Sequence, residues 1–118
     1  MYKIGEFGEL ANLSVRRLRY YNDLGLLKPE TVDKYSNYRY YSDENLKQAN
    51  TINNLKMAGF TLEEIRDNWN NFSDELFDTK KQEIYAKIFY LEEQLKQVDR
   101  LREELPKKEK AKTYTYHI

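Results

Sequence analysis

The stretch SVRRLRYYNDLGLLKP, residues 14–29, decides how this chain is read. Ser14 is a good N-cap, and the spacing behind it predicts a helix over roughly Val15 to Leu24. Gly25 suits the left-handed position after a helix end, and Pro29 prevents the helix from resuming. At roughly 100° per residue, Val15 and Leu18 share one direction and face a core. Arg16, Arg17 and Tyr20 then point away from it, with Arg19 and Tyr21 on the flanks. A short apolar pattern precedes this helix, with Ile4, Phe7, Leu10 and Ala11 at helical spacing. The break at Asn12 and Leu13 makes the pair a helix-turn-helix arrangement. Exposed arginines near a helix N-terminus match the O6/N7 acceptor pair of guanine, and tyrosine hydroxyls suit phosphate oxygens. The geometry alone also fits a plainer arrangement, in which Tyr20 and Tyr21 pack on neighbouring structure and the arginines are solvated.

Downstream, Glu30 to Tyr41 predicts a small hairpin around a polar turn at Asp33–Asn37. Ser42, followed by Asp43 and Glu44, caps a third helix reaching about Met57, and Gly59 ends it. Thr61 and Glu64 form a capping box that opens a short fourth helix to about Trp69. From Ser73 to Leu105 the pattern is one long helix, stopped by Pro106. Phe77, Ile84, Ile88, Leu91, Leu95, Val98 and Leu105 follow alternating steps of three and four, the seam of a coiled coil. Lys81 and Arg102 interrupt that seam, so its clean part runs from Ile84 to Val98. At 1.5 Å per residue the helix spans roughly 48 Å, too long to bury its stripe on a head of this size. A second copy of the same helix is the expected cover; folding back on its own head is the alternative. The expected organisation is a head over 1–72, a dimerisation helix over 73–105 and a basic linker or tail over 106–118. The alternation of Tyr114, Tyr116 and Ile118 suits either a frayed end or the first strand of a further domain.

Composition narrows the function. The 118 residues hold 20 Lys+Arg, 20 Asp+Glu, no cysteine and one histidine, His117. Disulfide scaffolds, thiolate metal sites, cysteine nucleophiles and histidine-based catalysis are thereby excluded, so no catalytic residue, metal site or cofactor is expected. No apolar run approaches membrane-spanning length and no signal-peptide pattern opens the chain, which gives the expectation of a cytoplasmic, non-enzymatic protein without a membrane partner. The zero net charge hides an asymmetry. Between Ser14 and Tyr41 lie six basic residues (Arg16, Arg17, Arg19, Lys28, Lys34, Arg39) and three acidic ones. A local basic surface is what a polyanion needs, because binding follows local potential rather than total charge.

Five blocks in order, Ile4-Gly5-Glu6-Phe7 to Ser14, RRLRYY at 16–21, LGLLKP at 24–29, NYRYYS at 37–42 and MAGFTLEEI at 57–65, resemble the DNA-binding module of MerR-family transcription regulators across roughly residues 2–70. The resemblance implies a mainly α fold: a winged helix-turn-helix head with a small β-hairpin wing, followed by a long helix that pairs as an antiparallel coiled coil. It implies a homodimer on double-stranded, pseudo-palindromic promoter DNA, acting on RNA polymerase through distortion of the promoter spacer. By motif position it places Arg16, Arg17, Arg19, Tyr20 and Tyr21 on the recognition helix, Tyr38 and Arg39 on the first wing, and Lys56 near the second, all touching DNA. Of Tyr40 and Tyr41, adjacent on a wing strand and so facing opposite ways, one is expected in the core. The dimer interface falls on Ile84, Ile88, Leu91, Leu95 and Val98. Without cysteine the thiol-sensing branches are excluded, and the NYRYYSDENL stretch looks more like the multidrug-responsive branch, which implies a small-molecule inducer where an effector domain follows. Two other classes compete: a DNA-architectural factor, which usually lacks a coiled coil this long, and a pure coiled-coil interaction module.

Overall fold

A computed structural model describes residues 1–106. The elements in chain order are β1 (Tyr2–Lys3), α1 (Ile4–Ala11), α2 (Val15–Asp23), β2 (Thr31–Val32), β3 (Arg39–Tyr41), α3 (Asp43–Met57), α4 (Leu62–Asp67) and α5 (Asp74–Glu104). Contacts divide the chain into a head, Met1–Ser73, and a second unit beginning at Asp74. The end at Thr113–Ile118, read as either a frayed tail or a first strand, lies outside the described residues.

The head is built on the α1–α2 turn. Asn12 closes α1 in the left-handed conformation (φ 56°), and Leu13 N–H donates to the Gly8 carbonyl at 2.9 Å. That closure brings the Leu13 carbonyl to 2.5 Å from where a Cβ on Gly8 would sit, so only glycine fits there. Ser14 then caps α2, its hydroxyl accepting from Arg17 N–H at 3.0 Å. Gly25 ends α2 at φ 73° while Leu26 N–H returns to the Tyr21 carbonyl. Asn53 Nδ2 donates to the Ala11 carbonyl (3.0 Å) and ties α3 to the turn. The buried Asn45 Nδ2 donates to the Lys28 carbonyl (2.9 Å) and ties α3 to the loop after α2.

The wing is a three-stranded antiparallel sheet in the order β1-β3-β2, with Tyr2 opposite Tyr41 and Thr31 opposite Tyr40. The first strand was not expected. At two residues it is too short to show alternation, and only its pairing with β3 defines it. Tyr2 Oη donates to Asp43 Oδ1 at 2.6 Å, fixing this strand to the start of α3. Behind the sheet lies the core: Phe7, Leu18, Tyr21, Leu27, Tyr41, Ile52 and Ile65 are all fully buried. Phe7 stacks on Tyr41 with ring centroids 4.4 Å apart. Leu10, read from its spacing as an apolar-face residue of α1, is exposed; α1 buries Phe7, Gly8 and Ala11 instead. The capping boxes of α3 (Ser42 with Asn45) and α4 (Thr61 with Glu64) are both formed. The end of α4 falls at Asp67 rather than Trp69, because the backbone already leaves helical geometry at the C-cap Asn68 (φ −111°, ψ 13°), before Asn70 turns left-handed (φ 67°).

The second unit is α5, of 31 residues and so roughly 46 Å long. None of its residues is buried. The clean part of the stripe that the sequence marks as a seam is exposed, with Ile84, Ile88, Leu91, Leu95 and Val98 all on the surface. Two i,i+3 ion pairs, Lys80 with Glu83 and Lys96 with Glu93, join neighbouring turns of the helix.

Candidate nucleic-acid interface

Residues 15–23 present a charged outer face because only Leu18 and Tyr21 are fully buried on that helix. Arg16, Arg17 and Arg19 are exposed, and Tyr20 is 46% exposed. Among the described residues no carboxylate lies in ion-pair contact with any of these arginines. They keep their full charge and all five guanidinium donors available to an incoming acceptor. Capping by Ser14 fixes the helix N-terminus, so Arg16 and Arg17 leave a rigid first turn.

Tyr21 corrects the sequence reading. It is 0% exposed and its hydroxyl has no partner, so it is a core residue and leaves the set of DNA-facing side chains. The signal was present: Tyr21 follows Leu18 by three positions and therefore shares its inward face. On the wing, the alternation resolves as expected for adjacent strand residues, with Tyr41 buried and Tyr40 half-buried. Tyr38 is exposed and Arg39 partly so. The wing tip is held by Asp33, whose Oδ1 accepts from the backbone N–H groups of Tyr35 (2.7 Å) and Ser36 (3.2 Å). Those two donors hold the Asp33 carboxyl below the usual carboxylate range.

Two open grooves flank α2. One, of about 550 Å³, has Ser14, Arg17, Asn53 and Lys56 on its walls, so the turn and the last turn of α3 bring Arg17 and Lys56 to one concavity. The other, of about 840 Å³, runs between the start of α1, Arg19 of α2 and the wing residues Tyr38 and Arg39. Lys3 also lines it, its Nζ standing 5.1 Å from the Tyr38 ring centroid. Nothing in the linear sequence marks Lys3, because its place depends on the β1–β3 pairing. Arg16 and Tyr20 line neither groove. Burial raises the Tyr41 hydroxyl above the ordinary tyrosine range, opposed by the nearby charges of Arg39 and Arg19. Among the described residues no three His, Cys, Asp or Glu side chains converge as a metal site, and no helix is long and apolar enough to cross a membrane.

A helix-turn-helix with a wing, its cations turned outward and unpaired, defines the class as a nucleic-acid-binding head. Comparison with known proteins gives the family. Residues 2–70 match the model of the MerR HTH family regulatory proteins. The chain is 39% identical over 93 residues to the multidrug-efflux transporter 1 regulator of Bacillus subtilis, covering 79% of this chain and 30% of that protein. The HTH-type transcriptional activator mta of the same organism is 28% identical over 102 residues, 84% of this chain and 39% of the relative. Among solved structures, the N-terminus of the Bacillus subtilis multidrug transporter activator superposes with a TM-score of 0.78 at 28% identity, covering 86% of this chain and 97% of that one. EcmrR in its DNA complex gives a TM-score of 0.78 at 27% identity, covering 85% and 38%. The chain therefore belongs to the MerR family of helix-turn-helix regulatory proteins. It spans well under half the length of the two full-length Bacillus subtilis relatives.

Proposed function

We propose that the chain binds promoter DNA as a homodimer and controls transcription by distorting the spacer of a pseudo-palindromic site, with RNA polymerase affected through the promoter. Residues 1–72 are the DNA-binding head, 73–105 the dimerisation helix and 106–118 a basic linker or tail. Arg16 and Arg17 read base edges; Arg19, Tyr20, Tyr38, Arg39 and Lys56 hold backbone phosphates. Ile84, Ile88, Leu91, Leu95 and Val98 close against the same residues of a second copy, and a small-molecule inducer acts where an effector domain follows α5. Such a role places the protein in the bacterial cytoplasm, where promoters are. One observation carries the reading: the outward, unpaired arginines of a Ser14-capped helix stand beside a wing that offers Tyr38 and Arg39. Support comes from the EcmrR–DNA complex, whose fold this chain shares.

The test is fluorescence anisotropy on a duplex selected by this protein from a random pool, against a scrambled duplex. Arg16→Ala should lower affinity for the selected duplex by about 1–3 kcal/mol while leaving scrambled DNA less affected. Arg39→Ala should weaken both alike and flatten the salt dependence by about one unit of slope per head. Equal affinity of the unaltered protein for both duplexes, or no effect of either substitution, rejects the reading.

A further inference from the structure

The groove between α1 and the wing adds one unassigned cation, Lys3, to Arg19 and Arg39, which already hold phosphates in the reading above. Three cations border it, Lys3, Arg19 and Arg39, against one carboxylate, Glu6. No ion pair among the described residues neutralises any of the three. The Lys3 ammonium is held over the Tyr38 ring rather than spread in solvent, so its charge is placed at the groove before anything arrives. The start of α1 forms the opposite wall. Its N-cap residue, Lys3, makes no side-chain cap, which leaves the first N–H groups of the helix unclaimed by a cap. A Cβ on Gly5 would meet nothing within 4 Å, so the backbone there is open to close approach. A further unsatisfied group lies near: the Tyr41 hydroxyl is fully buried, has no partner, and is close enough to Arg39 and Arg19 to feel both charges.

We propose that this groove seats one phosphodiester of the bound duplex in each head, with Lys3 as its unassigned cation and Gly5 as the point where the DNA backbone meets that of α1. This inference rests on the DNA-binding reading above and adds a contact to it. The shape favours a phosphodiester over a free anion. The groove is open and far larger than a phosphate ion, so a small anion there would keep much of its water, whereas a strand passing from α2 to the wing would cover it. Glu6 opposes the contact and limits its strength. The seat carries no base information, so it fixes the register of the head on the duplex and leaves base discrimination to α2.

The experiment uses the full chain and the duplex it selects from a random pool, followed by anisotropy across a salt series. Lys3→Ala should reduce the slope of log K against log[salt] by about 0.9 per head, or roughly 1.8 for a dimer. The ratio of selected to scrambled affinity should stay the same. Gly5→Ala should raise the melting temperature, because alanine is the better helix former, and yet weaken DNA binding several-fold. Glu6→Gln should strengthen binding to selected and scrambled duplexes alike. Replacing phosphates one at a time with methylphosphonates should reveal a position at which Lys3→Ala no longer has an effect. Inorganic phosphate at matched ionic strength should compete no better than chloride. An unchanged slope for Lys3→Ala, with Arg16→Ala still weakening the selected duplex, overturns the seat and leaves the DNA-binding reading standing. Selective competition by inorganic phosphate overturns it in favour of a free anion. Failure of the unaltered protein to prefer any duplex removes both.

Discussion

Replacing Tyr21 by phenylalanine separates the core role of this residue from a DNA-facing one. The ring is 0% exposed and its hydroxyl is buried without a hydrogen-bond partner. A buried hydroxyl that has exchanged water for no partner costs about 1–3 kcal/mol. Phenylalanine keeps the ring and its packing and removes that penalty, so Tyr21→Phe should stabilise the head by about 1–2 kcal/mol. For a domain of this size each 1 kcal/mol moves the melting temperature by roughly 4–8 °C. The assay is urea and thermal unfolding at one fixed protein concentration, since association adds to apparent stability, with duplex affinity measured alongside. DNA affinity should not change. The matched variant Tyr20→Phe alters a hydroxyl on a side chain that is 46% exposed. It should leave stability within about 0.5 kcal/mol and weaken duplex binding. A Tyr21→Phe protein that is less stable, or that binds DNA more weakly, would mean that the hydroxyl has a partner and that the core assignment is wrong.

Three further outcomes follow from the same structure. Ile88→Asp places a charge in the exposed seam of α5; sedimentation velocity should show monomers, and duplex affinity should fall about 100-fold or more as the second head loses its tether. Gly8→Ala pushes a methyl group to 2.5 Å from the Leu13 carbonyl; unfolding should show a loss of about 1–3 kcal/mol, because the obstacle is backbone and the turn must open. At alkaline pH the head should lose stability through Tyr2 and Tyr41. The Tyr2 hydroxyl is raised by its hydrogen bond to Asp43 and by that carboxylate's charge, and Tyr41 is raised by burial. Both folded values therefore lie above the unfolded value near pH 10. Their contribution is complete below that pH and is lost as pH rises through the folded values. Denaturant titrations at stepped pH check this, and Tyr2→Phe should show a shallower decline.

Helix positions were legible wherever a local rule set them. Ser14, Ser42 and Thr61 act through hydrogen bonds to residues three positions on, and Gly25 through its own φ, so each boundary needs only neighbours. The long helix was legible for the same reason, its apolar period being continuous from Ile84 to Val98. What stayed hidden depends on distant partners. β1 exists only through residues nearly forty positions away, and Lys3 becomes part of a groove only once that pairing forms. Tyr21 was misplaced for a different reason. A strongly basic helix draws its aromatic residues into the same functional reading, although the spacing from Leu18 already turned this one inward. The grooves themselves join residues from elements far apart in the chain, and no linear spacing carries that information.

The placement of β1 also bears on how the molecule should be handled. Tyr2 and Lys3 pair with Tyr41 and Tyr40, so the chain's first residue is held next to the wing with almost no slack. A purification tag or biosensor anchor fused there would hang beside the cleft that Lys3 lines, and a flexible acidic tag would act as a tethered competitor for its cations. Any apparent affinity measured with an amino-terminal fusion should be repeated after the tag is cleaved.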